Sequence, residues 1–428
     1  MLFRLAALAA LVVVFCGPLL AQEQDTLTLD AAMARVVKQH PDLRLYNFTE
    51  QGLKAEADKA ALTPGMRLNA DIENAMGTGN SAGLNSAEFT FSLASMLERG
   101  GKREARRALV ASRIDALGLQ RSAKEMDLLA EVARRYLDVF AAQEMQKIIA
   151  LDLAQRERTV TAAAKRVQAG ASHDSVRLTA EAMRARSRLE QSKTKAAHEA
   201  AWRRLAILWG DAQSSKIMRV AGDAYALPTI SDFSVLSDVL KKTPELKRFG
   251  DETRIRESRL QLARSAQSTD LEWQAGLRRR EAETDWSFVA GVTIPLGNAR
   301  RAEPDIRLAQ AELDSLSVER ESANLSLEAT LAQAYGQYTA AKIEIEQIGT
   351  DFLPRLIKAE KSAENAYRAG ALTYLEWSLL QNETTAARKQ QLATALEAHR
   401  ALIEIQRLTG EPMVVAGLQA DTKKESKQ

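Results

Sequence analysis

Arg166-Val167-Gln168-Ala169-Gly170-Ala171 and Tyr367-Arg368-Ala369-Gly370-Ala371 each close a long helical stretch, and their glycines stand 200 residues apart. Leu208-Trp209-Gly210 and Leu408-Thr409-Gly410 recur at the same offset. His40-Pro41-Asp42-Leu43 and Thr243-Pro244-Glu245-Leu246 open the two halves, 203 residues apart. The chain is a duplicated unit. A period this long is not that of a solenoid; it points to the pseudo-symmetry used by ring assemblies.

Upstream of the first turn, residues 102–168 hold no proline and only Gly118 as a weak breaker. As a helix rising ~1.5 Å per residue, this stretch spans roughly 100 Å, far beyond a globular helix. A shorter helix is predicted over 173–208. Ahead of the long helix, Leu68, Ala70 and Ile72 alternate with polar residues, and so do Phe89, Phe91 and Leu93. Two runs of period two, split by the glycine-rich loop Gly77–Gly83, predict a β-hairpin over 66–95. A helix from Asp30, taken as its cap, to Leu62 precedes it, stopped by Thr63-Pro64-Gly65.

The second half repeats this order. A helix is expected over 233–267, a hairpin over 270–296, a long helix over 303–368 and a last one over 373–408. Pro304 is assigned to a first helical turn, where proline is tolerated, and Pro354 predicts a kink. The boundaries are therefore 22–221 for the first repeat, 222–418 for the second and 419–428 for a polar tail. The fold class is mainly α with a small β part.

Residues 1–21 read as a signal peptide, with Arg4 ahead of the apolar run Leu5–Phe15 and cleavage after Ala21. A retained anchor is the alternative, but the run is shorter than the ~20 residues a spanning helix needs. Phe15 argues against lipidation at Cys16. The remaining chain has no cysteine, hence no disulfide. The near-balanced charge of +3 argues against nucleic acid. No metal-ligand spacing links His40, His173, His198 or His399, and no catalytic or cofactor motif is present.

An exported chain without a spanning helix enters a membrane only as a β-barrel. Its four strands have one apolar and one polar face, as a barrel with a wet interior requires. Four strands do not close, since roughly eight are needed, so closure takes more than one chain. Three chains give twelve strands. By strand periodicity Asp71, Glu73, Glu88, Glu272, Gln274, Arg278 and Arg280 face the lumen, and Phe89, Phe91, Trp273 and Trp286 face lipid. Arg278-Arg279-Arg280 falls near the outer end of its strand, at the mouth, against anionic lipid, or simply on an exposed hairpin end.

With these features the chain resembles the TolC-type outer-membrane efflux proteins over its whole mature length. The duplicated order of elements, the Ala-Gly-Ala turns at Arg166–Ala171 and Tyr367–Thr373 and the Leu-x-Gly ends carry the resemblance. Glu98-Arg99-Gly100-Gly101-Lys102-Arg103 is similar to the strand-to-helix turn of the heavy-metal (CzcC-like) branch. The resemblance implies a homotrimer with a twelve-stranded barrel in outer-membrane lipid on a periplasmic α-helical barrel. It implies no enzymatic activity, and docking to a periplasmic adaptor and a proton-driven inner-membrane pump. Ala169, Gly170, Ala171, Ser172, Ala369, Gly370, Ala371, Leu372 and Thr373 are the implied docking tips. Glu376, with Asp174, is the implied acidic lining of a periplasmic aperture; a solvated helix face is the competing reading. Leu379 stands where some relatives carry a second acid. A protein-secretion duct and a non-porous periplasmic coiled coil are the alternatives.

Overall fold

The computed structural model describes residues 26–211 and 217–414. The expected signal peptide and polar tail lie outside the described residues. The chain starts with a two-residue strand β1 (Thr26–Leu27), then α1 (Leu29–Gln39), α2 (Pro41–Ala61), β2 (Arg67–Glu73), β3 (Glu88–Leu97), α3 (Lys102–Gln168) and α4 (Asp174–Ala206). The second half has β4 (Arg219–Val220), α5 (Phe233–Leu240), α6 (Pro244–Ser265), β5 (Leu271–Arg280), β6 (Asp285–Thr293), α7 (Asn298–Gln347), α8 (Leu353–Ala369) and α9 (Tyr374–Thr409).

Four expectations are corrected. The helices expected over 30–62 and 233–267 are each two. Proline has no N–H to donate and pushes the preceding residue out of helical geometry, so His40 is extended and Pro41 and Pro244 start new helices. The first helix is capped by Thr28, whose hydroxyl accepts from the Ala31 N–H at 3.2 Å, and Asp30 lies in its first turn. The second long helix begins at Asn298, after Gly297 in the left-handed conformation, which leaves Pro304 inside the helix. Finally, the kink expected at Pro354 takes the form of a π-helical turn, Ile348–Phe352, that divides α7 from α8. A π-turn absorbs the hydrogen bond that Pro354 does not make.

The 67-residue α3 is one uninterrupted rod. Toward the sheet, the principal contacts run α2–α3–α6–α7; toward the turns they run α4–α3–α9–α7 and α8. The strands follow the same plan, antiparallel in the order β2–β3–β5–β6. Each layer is thus four elements wide, and both outer strands of the sheet have an unpaired edge.

The main core sits at the middle of α3, where the stacked short helices meet end to end. Tyr136, Phe140, Trp202, Leu205, Leu402 and Leu408 are buried there. Here β1 and β4 pair in parallel, Leu27 opposite Val220. The Tyr136 hydroxyl lies 2.9 Å from the Leu27 carbonyl and 2.7 Å from that of Ala221, and the Gln143 side-chain amide both donates to and accepts from Val220. Arg407 joins three helices at the same level, bonding Glu404, Asp127 of α3 and Glu245 of α6. Among the described residues no helix is long and apolar enough to cross a membrane.

Candidate functional site

Two regions carry the exposed chemistry: the α3–α4 and α8–α9 turns at one end, and the sheet at the other. The two turns are built alike. Ala171 donates to the Arg166 carbonyl at 2.8 Å and Ala371 to the Ala366 carbonyl at 2.9 Å, each over a glycine with positive φ, +68° at Gly170 and +85° at Gly370. Only glycine enters this geometry without steric cost. A side-chain carbon at Gly170 would meet nothing, and one at Gly370 only the Arg166 guanidinium at 3.8 Å.

Each following helix has its own cap. The His173 Nδ1 accepts from the Ser175 N–H at 3.3 Å. Thr373 and Glu376 form a reciprocal capping box: the Thr373 hydroxyl accepts from the Glu376 N–H, and the Glu376 carboxylate accepts from the Thr373 N–H at 2.9 Å. The Thr373 hydroxyl and then its N–H hold the Glu376 carboxyl below its usual range. Asp174 bonds Arg177 at 2.7 Å, which lowers its carboxyl likewise. Both acids are exposed, and both are engaged at their own helix starts.

Arg166 ties the two turns together. Its guanidinium donates to the Tyr367 carbonyl at 2.5 Å and to the Ala171 carbonyl at 3.3 Å, and lies 5.0 Å from the centre of the Tyr367 ring. Tyr367 is buried against Trp377, with ring centres 5.1 Å apart. Sequence reasoning quoted Arg166 in the turn motif but assigned it no role. The signal was a break in the repeat: 200 residues on, the equivalent position is Ala366.

At the other end, the register sorts side chains by face. Asp71, Thr90, Arg278 and Ser287 align across the four strands, as do Glu73, Glu88, Arg280 and Asp285 one row further out. Arg278 bonds Glu73 at 3.1 Å, Glu88 at 2.9 Å and the Thr90 hydroxyl at 3.0 Å. The register thus brings together Asp71, Glu73, Glu88 and Arg278. Glu272 shares their face but stands at the opposite end of β5, beside Met96 and Thr293. The other face carries Leu68, Ile72, Phe91, Leu93, Leu277, Trp286, Phe288 and Val292, all exposed. Arg279 emerges on this apolar face, 5.7 Å from the centre of the Trp286 ring.

The Glu98–Arg103 turn joins the sheet to the helices. Glu98 takes both terminal nitrogens of Arg106, at 2.6 and 2.7 Å. Asp270, from the second half, accepts from Lys102 at 2.6 Å and from the Arg99 N–H at 3.0 Å. Gly100 has φ +74°, and a side-chain carbon there would stand 2.1 Å from the Ser268 hydroxyl. Three histidines have local structural contacts: like His173, His40 caps a helix, and buried His399 meets the Ala224 carbonyl at 3.0 Å. Among the described residues no group of His, Cys, Asp and Glu is arranged to hold a metal.

A sheet with one exposed apolar face, carried on helices too long for a globular core, defines a membrane-embedded duct component. The family profile described as Outer membrane efflux protein matches residues 37–211 and again 235–411. The chain belongs to the outer membrane efflux protein family, whose members are non-enzymatic transport ducts of the outer membrane with a large periplasmic helical part. A membrane protein from Pseudomonas aeruginosa has the same fold, with a TM-score of 0.74 at 18% identity over 91% of this chain and 92% of that one. CusC matches at 0.74 and 18% over 90% and 92%, and VceC of Vibrio cholerae at 0.71 and 15% over 90% and 97%. No curated protein matches the sequence.

Proposed function

We propose that three copies of this chain close a twelve-stranded barrel and form the exit duct of a tripartite efflux pump. The observation that carries this reading is the open sheet. Strands β2 and β6 have unpaired outer edges, and the face they share is apolar and exposed. In hydrocarbon each orphaned backbone group costs several kcal/mol, so β2 of one copy pairs with β6 of the next. The duct carries solute passively. The turns at Ala169–Ser172 and Ala369–Thr373 dock a periplasmic adaptor that leads to a proton-driven inner-membrane pump. Glu376, with Asp174, lines the periplasmic aperture, and Asp71, Glu73, Glu88, Glu272 and Arg278 line the lumen. Heavy-metal cations are the proposed cargo, supported by the similarity of the Glu98–Arg103 turn to the metal branch.

The chain has no cysteine after position 16, so introduced thiols report cleanly. Cysteine pairs scanned across β2 and β6 are expected to give oxidised trimers in detergent, and the purified protein to conduct in planar bilayers. A monomer that needs no detergent would sink the proposal. Metal tolerance of a deletion strain tests the cargo: sensitivity to drugs but not to cobalt, zinc, cadmium or copper would remove the metal assignment. A bulky residue at Gly370 is expected to abolish efflux while leaving trimers intact.

A further inference from the structure

The polar face of the sheet holds five carboxylates (Asp71, Glu73, Glu88, Glu272 and Asp285) against three guanidiniums (Arg67, Arg278 and Arg280). They are not spread evenly. Between Arg67 at one end and Asp71 at the other, the central row is Asn69, Ser92, Gly276 and Val289, with no charge. Four carboxylates and two guanidiniums crowd the two outermost rows. Of the two cations, Arg280 pairs at 2.8 Å with Glu283, in the turn beyond the sheet. Arg278 alone reaches into the acidic group, bonding Glu73 on β2 and Glu88 on β3 from β5.

We infer that Arg278 sets the ion preference at the outer end of the duct, by offsetting half of the negative charge of Glu73 and Glu88. The inference rests on the proposed barrel, in which three copies of this cluster form a ring. Charged rings in a narrow, low-dielectric passage govern which ions enter. Asp71 and Asp285 make no ion pair among the described residues, so the mouth is mildly acidic with Arg278 in place. Without Arg278 the ring loses three positive charges and exposes Glu73 and Glu88 in every copy. The geometry also suits arginine over lysine, because a planar guanidinium addresses two carboxylates at once while an ammonium is a point charge.

The test is the reversal potential of the full-length protein in planar bilayers under a KCl gradient. Arg278→Gln is expected to raise the potassium-to-chloride permeability ratio by about twofold or more. The double variant Glu73→Gln with Glu88→Gln is expected to lower it. Arg278→Lys keeps the charge and is expected to keep the ratio near that of the parent, even if its trimers melt earlier, which separates charge from structural support. Heat-resistant trimers on gels confirm that each variant assembles. Conducting variants with an unchanged ratio would overturn the role of Arg278. A parent protein that forms no conducting trimer would instead overturn the duct itself.

Discussion

Arg166 shows how much one side chain contributes once it is set against the repeat. It occupies the position that is Ala366 in the second half, and its guanidinium bonds backbone in both turns. Arg166→Ala removes a charge-assisted hydrogen bond, typically ~1.5–3 kcal/mol, together with a cation–π contact. The expected result is faster amide exchange at Gly370 and Ala371, with exchange in the central core unchanged. Glu376 calls for a variant that separates two roles. Glu376→Gln keeps an acceptor for the Thr373 N–H but removes the charge. If the carboxylate also rings the aperture, as proposed, block of single-channel current by divalent cations weakens; unchanged block leaves Glu376 a helix cap. Gly100 is constrained twice, by its φ of +74° and by Ser268. Gly100→Ala is expected to lower the melting temperature of the assembled protein, because a left-handed alanine costs about 1–2 kcal/mol before any clash is counted. The capping box stands in the sequence as Thr373-x-x-Glu376, but Glu376 was read there only as an aperture lining or a solvated helix face. The role of Arg166 was not, because its partner carbonyl lies 201 residues away and no local pattern announces it.

At the scale of the element, the strands were the most legible feature. Period two placed the outer bounds of both hairpins to within three residues. The long rod of α3 was equally plain, since it contains no residue that stops a helix. Apart from the cap of the first helix, the errors all lie at prolines. Apolar spacing continues smoothly through His40-Pro41 and Thr243-Pro244, so the pattern alone joined helices that the missing N–H divides. At Pro354 the same missing donor gives a π-turn instead of a break, because packing against α9 continues on both sides. Pro354→Ala restores an N–H to the rod and is expected to slow amide exchange through 348–356; unchanged exchange would locate the origin of the π-turn elsewhere. The pairs β1 and β4 left no trace in the sequence, since two residues define no period.

Across the whole molecule, ion pairs bind the two halves at set heights: Lys102–Asp270 beneath the sheet, and Arg407 with Glu404, Asp127 and Glu245 at the centre. Burial tends to raise the Glu404 carboxyl, but Arg407 and Arg134 outweigh it and hold it below its ordinary value of 4.5. A carboxyl lowered on folding stabilises the protein above its unfolded pKa, and that stability is lost as the pH falls through the folded value. Thermal stability is therefore expected to be flat near neutrality and to decline below about pH 4.5. Glu404→Gln is expected to flatten that decline, which melting curves across pH 3–7 would check. The duplication, the α-with-β class and the single family across the chain were all legible in the sequence. The contacts between halves were not, because nothing in either half names its counterpart.

The small parallel ladder between β1 and β4 also bears on biogenesis. Leu27 waits for Val220, and Leu97 for Leu271. Neither half can be finished before the other emerges. During synthesis the early strands are therefore without these partners through an interval in which aggregation competes. Of these waiting segments, the short first strand stands furthest in sequence from its counterpart.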